Sequence, residues 1–337
     1  EQCAKQLYVI TGSNSYAGAD AIRYLLQLRG NKTAALLLGA SGNLGRTGYR
    51  WVASHRNTWP IKIATRVLYF LNNSKGNVYL YPVLMSKPIN TSTIRRYNLI
   101  AGIFHFAQMA AVLALANDFT LPIVARYMSG PPGSTFAEPI TLLNTPVGLG
   151  VALFLGLSAF FHFLVVSPKF FSRDSAGLTQ NRNYFRWVEY SISSSVMIVL
   201  IAQICGVSDV VALISIFGVN ASMILFGWLQ EKYETPGNGG WIPFIFGCIA
   251  GIVPWLGLIF YVLAVGGPSN AKAPAFVYGI VVSLFVLFNT FAVVQYLQYK
   301  KVGKWSDYLR GEKTYITLSL IAKSALAWQV FVGTLFE

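Results

Sequence analysis

Two residues that a bilayer interior rarely tolerates stand in otherwise uncharged runs. Lys323 lies within "YITLSLIAKSALAWQVFVG" (315–333), and Glu189 lies within "FRWVEYSISSSVMIVLIAQICG" (185–206). A charged lysine at the centre of a membrane helix costs about 2.5–3.5 kcal/mol, so it turns inward and takes a partner. Glu189 is the carboxylate at matching depth. Both runs enter from the same side, Glu189 about five residues in and Lys323 about eight. At a rise of about 1.5 Å per residue the offset is roughly 5 Å, within reach of a lysine side chain. Two chemistries fit. One is an ion pair that only pins two helices together. The other is an amine that condenses with an aldehyde, beside a carboxylate that serves the resulting cation as counterion. The other ionisable residues well inside apolar runs are His105 and His162. Taken alone, each reads as a satisfied core histidine.

The elements that must position these groups are long and apolar. The 337 residues are 54% hydrophobic and 11% charged, with mean hydropathy +0.51. A soluble domain carries about 25% charged residues, so this composition belongs to a polytopic membrane protein. Runs of about 20 apolar residues predict seven spans, at 98–116, 146–166, 184–206, 210–229, 242–264, 275–297 and 315–335. The net charge of +14 sits in short connections rather than in a nucleic-acid-binding patch. Thirteen Lys/Arg flank one side of the spans (Lys87, Arg95, Arg96, Lys169, Arg173, Arg182, Arg186, Lys232, Lys300, Lys301, Lys304, Arg310 and Lys313), against Arg126 and Lys272 on the other. Positive residues stay inside, so the segment before the first span is expected in the cytoplasm and the C-terminus outside. The connection 117–145 alternates around Gly-Pro-Pro-Gly and predicts a small extracellular β-hairpin. Residues 230–234, "QEKYE", read as a solvated loop. Three cysteines without metal-like spacing (Cys3, Cys205, Cys248) indicate neither a disulfide framework nor a zinc site.

Residues 1–84 differ in character, with ten Lys/Arg and two acids. "QLYVITGSNSYAG" and "ALLLGASGNLGRTG" each resemble an apolar strand running into a glycine-rich loop, and the second spells G-x-x-G-x-x-G (Gly39, Gly42, Gly45). A dinucleotide fingerprint also needs an acid about 20 residues on within a complete βαβ unit, and the region's acids are Glu1 and Asp20. The first methionine is Met85. Residues 1–84 are therefore expected to be an appendage, such as translated upstream sequence, outside a seven-helix domain at 85–337.

"FRWVEYSISSSVMIVLIAQICG", "VALISIFGVNASMILFGWLQEKY", "FGCIAGIVPWLGLIFYV" and "LSLIAKSALAWQ" resemble the heliorhodopsin family, in order and across all seven spans from about Met85 to the end. The resemblance implies an all-α membrane protein, a seven-helix rhodopsin-like bundle of inverted orientation with all-trans retinal as cofactor. It implies Lys323 as the retinal attachment site through a Schiff base, Glu189 as counterion, and His105 and His162 in a proton-accepting cavity. Gln108, Tyr190, Ser194, Met197, Asn220, Phe288 and Ser319 would line the retinal pocket. The hairpin "GPPGSTF" would contribute to a homodimer. A light-sensing role follows, with a cytoplasmic signalling partner and no enzymatic activity.

Pumping rhodopsins carry on the third helix a carboxylate, a hydroxyl four residues on and a carboxyl donor eleven residues on. Here those positions are Glu189, Ser193 and Leu200. They also hold an aspartate four residues before the lysine, where this chain has Ser319. With serine there, Glu189 is expected to be the sole counterion, and because a leucine cannot donate a proton a sensor fits better than a pump. A light-gated proton channel and a light-regulated partner of a soluble enzyme are the alternative functions. A non-retinal transporter would show inverted repeats with broken spans, and the chain has no such repeat.

Overall fold

The computed structural model describes residues 8–11, 14–28, 32–43, 46–47, 90–265, 267 and 272–335. The chain divides into two compact units, Glu1–Leu84 and Met85–Glu337. In the first, β1 (Tyr8–Thr11) pairs antiparallel with β2 (Asn14–Ala17), followed by helices α1 (Ala19–Leu28) and α2 (Lys32–Ala40). Gly39 of the second glycine motif thus lies inside a helix, not after the strand expected from "ALLLGASG", and Gly45 lies outside the described residues. Alanine and leucine favour the helix, and without a strand ahead of it the glycine run is not a dinucleotide fingerprint.

The second unit carries seven helices long and apolar enough to cross a membrane. They are α3 (Thr91–Leu115), α4 (Val147–Val166), α6 (Tyr184–Ile204), α7 (Val210–Tyr233), α8 (Ile242–Val262), α9 (Ala275–Tyr299) and α10 (Tyr308–Val330, continued by a π turn at Phe331–Leu335). Consecutive members pack side by side, and α10 returns to α3 to close the ring. Polar caps set several starts: Asn90 accepts from Thr93 N (2.8 Å), Asn183 from Arg186 N (3.0 Å) and Asp307 from Leu309 N (3.1 Å). Each satisfies an otherwise orphaned helix N–H. Close approach is decisive at Gly227, where a Cβ would sit 2.5 Å from the Trp187 ring. Glycine there is what lets α7 lie against α6.

Between α3 and α4, β3 (Thr120–Ala125) and β4 (Ile140–Pro146) form the expected antiparallel hairpin, with a bulge at Ile123/Val124. Val124 N donates to Ser208 O at 2.9 Å, tying the hairpin to the α6–α7 connection.

Several elements differ from expectation, and α3 begins at Thr91, where Asn90 caps it, rather than at 98. The last span begins at Tyr308 rather than 315, because Glu312, nearly fully buried, is packed against other spans instead of lying in a loop. "QEKYE" is not a solvated loop. Gln230 and Glu231 belong to the last turns of α7, where Gln230 Nε2 donates to Gly240 O (2.7 Å) and Gln230 Oε1 accepts from Phe244 N (3.1 Å). Finally, the connection 167–183 holds a short helix, α5 (Pro168–Thr179), with proline in its first turn. Its Leu178 joins Ile94, Ala101 and Ile316 in a small apolar cluster at the arginine-rich end of the bundle.

The main core lies toward the opposite, hairpin end. Phe154, Leu155, Ile198, Ile201, Leu258, Ile280, Leu284 and Leu326 are fully buried there. The bundle is therefore apolar toward one end and polar toward the other.

Candidate functional site

The polar centre is built on α4, α6 and α10. Lys323 Nζ lies 2.6 Å from Glu189 Oε1, and both side chains are buried, 4% and 7% exposed. Ser158 of α4 bridges the pair, receiving a hydrogen bond from Lys323 Nζ and donating to Glu189 Oε1 at 2.6 Å. Ser319, one turn before the lysine, accepts from Nζ at 3.0 Å. The ammonium thus has three oxygen partners and also stands 5.3 Å from the Tyr190 ring centroid. Breaking a buried ion pair by removing one partner costs about 3–5 kcal/mol, so the two residues hold each other in place.

His162 follows Ser158 by one turn of α4, so the two share a face. Its Nδ1 lies 2.7 Å from Asn98 Oδ1, and its ring stacks on His105 with centroids 5.5 Å apart. His105 is fully buried, yet neither of its ring nitrogens has a partner among the described residues. Buried polar atoms without protein partners mark a place for ordered water. Glycine at 102 permits this packing, because a Cβ there would sit 3.1 Å from His162 Cβ.

On the other side of Lys323 opens a cavity of about 180 Å³. Tyr190, Ser194, Met197, Phe288 and Ser319, expected around a chromophore, line this cavity. Asn220 does not. It stands behind the wall, its amide donating to Ser194 Oγ (2.8 Å) and Ser195 Oγ (3.0 Å). Gln108 is also outside the lining, on the flank of α3, where its Oε1 accepts from Trp328 Nε1 at 3.1 Å. A glutamine one turn from an inward histidine can also face a neighbouring helix edge, and here it does.

Sequence reasoning missed several groups. Ser158 carries no hydropathy signal, although its place one turn before His162 was a usable one. Trp255 packs edge-on against Phe285 and Phe288 (5.3 and 5.6 Å) in the cavity wall. Most of all, Arg186 reads as a flanking charge but is buried. Its Nη2 lies 2.7 Å from Glu231 and 3.1 Å from Glu312, and its guanidinium covers the Trp187 and Tyr315 rings.

The family model for heliorhodopsins matches residues 94–335, well over half of the chain. The chain belongs to the heliorhodopsin family. It is therefore a multi-pass membrane protein of a retinal-binding photoreceptor family. No curated protein matches the sequence. Among solved structures, a light-driven proton pump from Leptosphaeria maculans superposes with a TM-score of 0.51 at 12% identity, over 73% of this chain and 96% of that one. That likeness concerns the fold alone. The cavity suits the family's chromophore on its own chemistry. It is walled by aromatic and thioether groups, ends on an amine, and includes Ser193, whose buried hydroxyl has no partner among the described residues.

Proposed function

We propose that this heliorhodopsin is a light sensor in which Lys323 holds all-trans retinal as a Schiff base and Glu189 is the sole counterion. The observation that carries the reading is the buried 2.6 Å contact between Lys323 Nζ and Glu189 Oε1 at the end of an aromatic cavity. When bound, retinal supplies visible absorption and a double bond that light isomerises.

The protein's own groups then govern the proton on Nζ. Glu189 favours the charged form of the nitrogen, because an opposite charge in contact stabilises it. Ser158 and Ser319 fix the direction of Nζ, and Ser158 also orients the carboxylate oxygen that the lysine uses. A proton leaving Nζ meets Glu189 first and then the stacked imidazoles of His162 and His105, the proton-accepting side. Toward the hairpin end the neighbours include Leu200, Ile201 and Leu326, all buried and none able to carry a proton. Gln203 lies beyond, its Nε2 donating to Thr145 Oγ1 at 3.2 Å. The proton therefore returns from the side it left and no net charge moves. By the charge count that side faces the cytoplasm, where a signalling partner reads the state. The exposed hairpin carries the homodimer contact. The alternatives are light-gated proton conduction and light-dependent control of a soluble enzyme.

The reading is tested by adding all-trans retinal to purified protein. A visible band forms in the wild type and does not form in Lys323→Ala. A visible band retained in the variant overturns the assignment.

A further inference from the structure

The mechanism above leaves a second buried charge cluster unused. Arg186 is paired with Glu231 and Glu312 at the arginine-rich end. Glu231 also accepts from Trp187 Nε1 (2.9 Å), Asn183 N (2.7 Å) and Tyr308 Oη (3.1 Å), and Glu312 accepts from Asn183 Nδ2 (2.7 Å). Two carboxylates therefore face one guanidinium. A third carboxyl, Asp174 of α5, shares a cavity wall with Asn183, which bonds to both of these carboxylates. It stands one turn before Leu178, on the face of α5 that packs against α3 and α10. It is 6% exposed, and its carboxyl forms no hydrogen bond or ion pair with any described residue. A buried carboxylate with no partner is costly, and such a group takes up a proton instead.

We propose that Asp174 is a second proton-binding site, which adjusts the charge of the Arg186–Glu231–Glu312 centre and exchanges its proton with the medium. The route is a cavity of about 280 Å³ that Asp174 lines together with Arg173, Arg182 and Asn183. That space is ample for water.

Among the described residues no cation forms an ion pair with Asp174. On α3, Arg95 donates twice to Val166 O (2.7 and 3.1 Å). On α10, Lys313 lies over the Tyr97 ring at 4.3 Å, and on α6 Arg186 is held by its own two carboxylates. Arg173 and Arg182 share the cavity wall without forming an ion pair to Asp174. The ionisable group on α10 that acts on it is Glu312, of like charge. Burial first, and the Glu312 carboxylate second, raise the Asp174 carboxyl from 3.8 to about 7. Arg186 also lines the cavity beside Lys323, three residues before Glu189, and Glu312 is eleven before Lys323 on the same helix, so the cluster is placed to sense what that cavity holds.

Infrared difference spectra of the full chain, with and without retinal, test this. Raising the pH from about 5 to about 9 removes one protonated-carboxyl C=O band in the wild type, and that band is absent from Asp174→Asn. Glu312→Gln removes the like charge and moves the midpoint to lower pH. Because the folded group binds its proton more tightly than the unfolded one, its contribution to stability is complete below about pH 3.8 and is lost as pH rises through about 7. The thermal midpoint of the wild type therefore falls across that window more than that of Asp174→Asn. A neutral-range carboxyl band that persists in Asp174→Asn overturns the proposal. So does the absence of any such band in the wild type, or a midpoint that Glu312→Gln leaves in place.

Discussion

Glu189 offers a single oxygen, Oε1, to both Ser158 and Lys323, so its carboxylate is held in contact with the lysine nitrogen. Removing that charge while keeping the shape isolates its contribution. Glu189→Gln lowers the proton affinity of the retinal-bearing nitrogen. A blue-shifted, deprotonated fraction of the pigment then accumulates near neutral pH. Spectral titration of the variant checks this, and an unchanged midpoint would mean that another group supplies the charge. Ser319 contributes a hydroxyl at 3.0 Å where the pumps hold an aspartate, which leaves Glu189 as the carboxylate in contact with Lys323.

At the scale of elements, α5 secures the arginine-rich end. Leu178 is buried against Ile94, Ala101 and Ile316, drawing α3, α5 and α10 into one small core. Leu178→Ala removes buried methyl groups and costs about 2–5 kcal/mol. A lowered thermal bleaching midpoint with an unshifted absorption maximum is the expected result; an unchanged midpoint would show that α5 does not brace the bundle. The seven spans were legible because twenty apolar residues in succession have few other stable uses. The Lys323–Glu189 pair was legible because charge at that depth demands a partner. Arg186, Glu231 and Glu312 were not, because near a span's end the same residue types serve equally well as solvated flanks, and only their mutual contacts distinguish the two cases. The start of the last helix was misplaced for the same reason. Asn220 and Gln108 show a further limit: helical periodicity selects a face, but not which residue on that face reaches the cavity and which hydrogen-bonds to its neighbour.

At the scale of the whole molecule, the bundle is asymmetric. Its polar groups gather around Lys323 and toward the arginine-rich end, while Ile198, Leu200, Ile201, Leu284 and Leu326 fill the half toward the hairpin. On the reading proposed above, net pumping would need a carboxyl to reload the proton through that half, and these buried aliphatic side chains supply none. Illuminated cells expressing the protein in unbuffered medium are expected to show no sustained pH change that an uncoupler abolishes. A steady photocurrent at zero voltage would contradict this, and a current that reverses with the proton gradient would favour conduction through a channel. All of this depends on one covalent bond. Borohydride reduction of the purified pigment, followed by proteolysis and mass spectrometry, converts that bond to a stable amine and reports where it was. The account predicts the retinyl mass on the peptide containing Lys323 and on no other lysine; a retinyl group elsewhere, or none on Lys323, would contradict it.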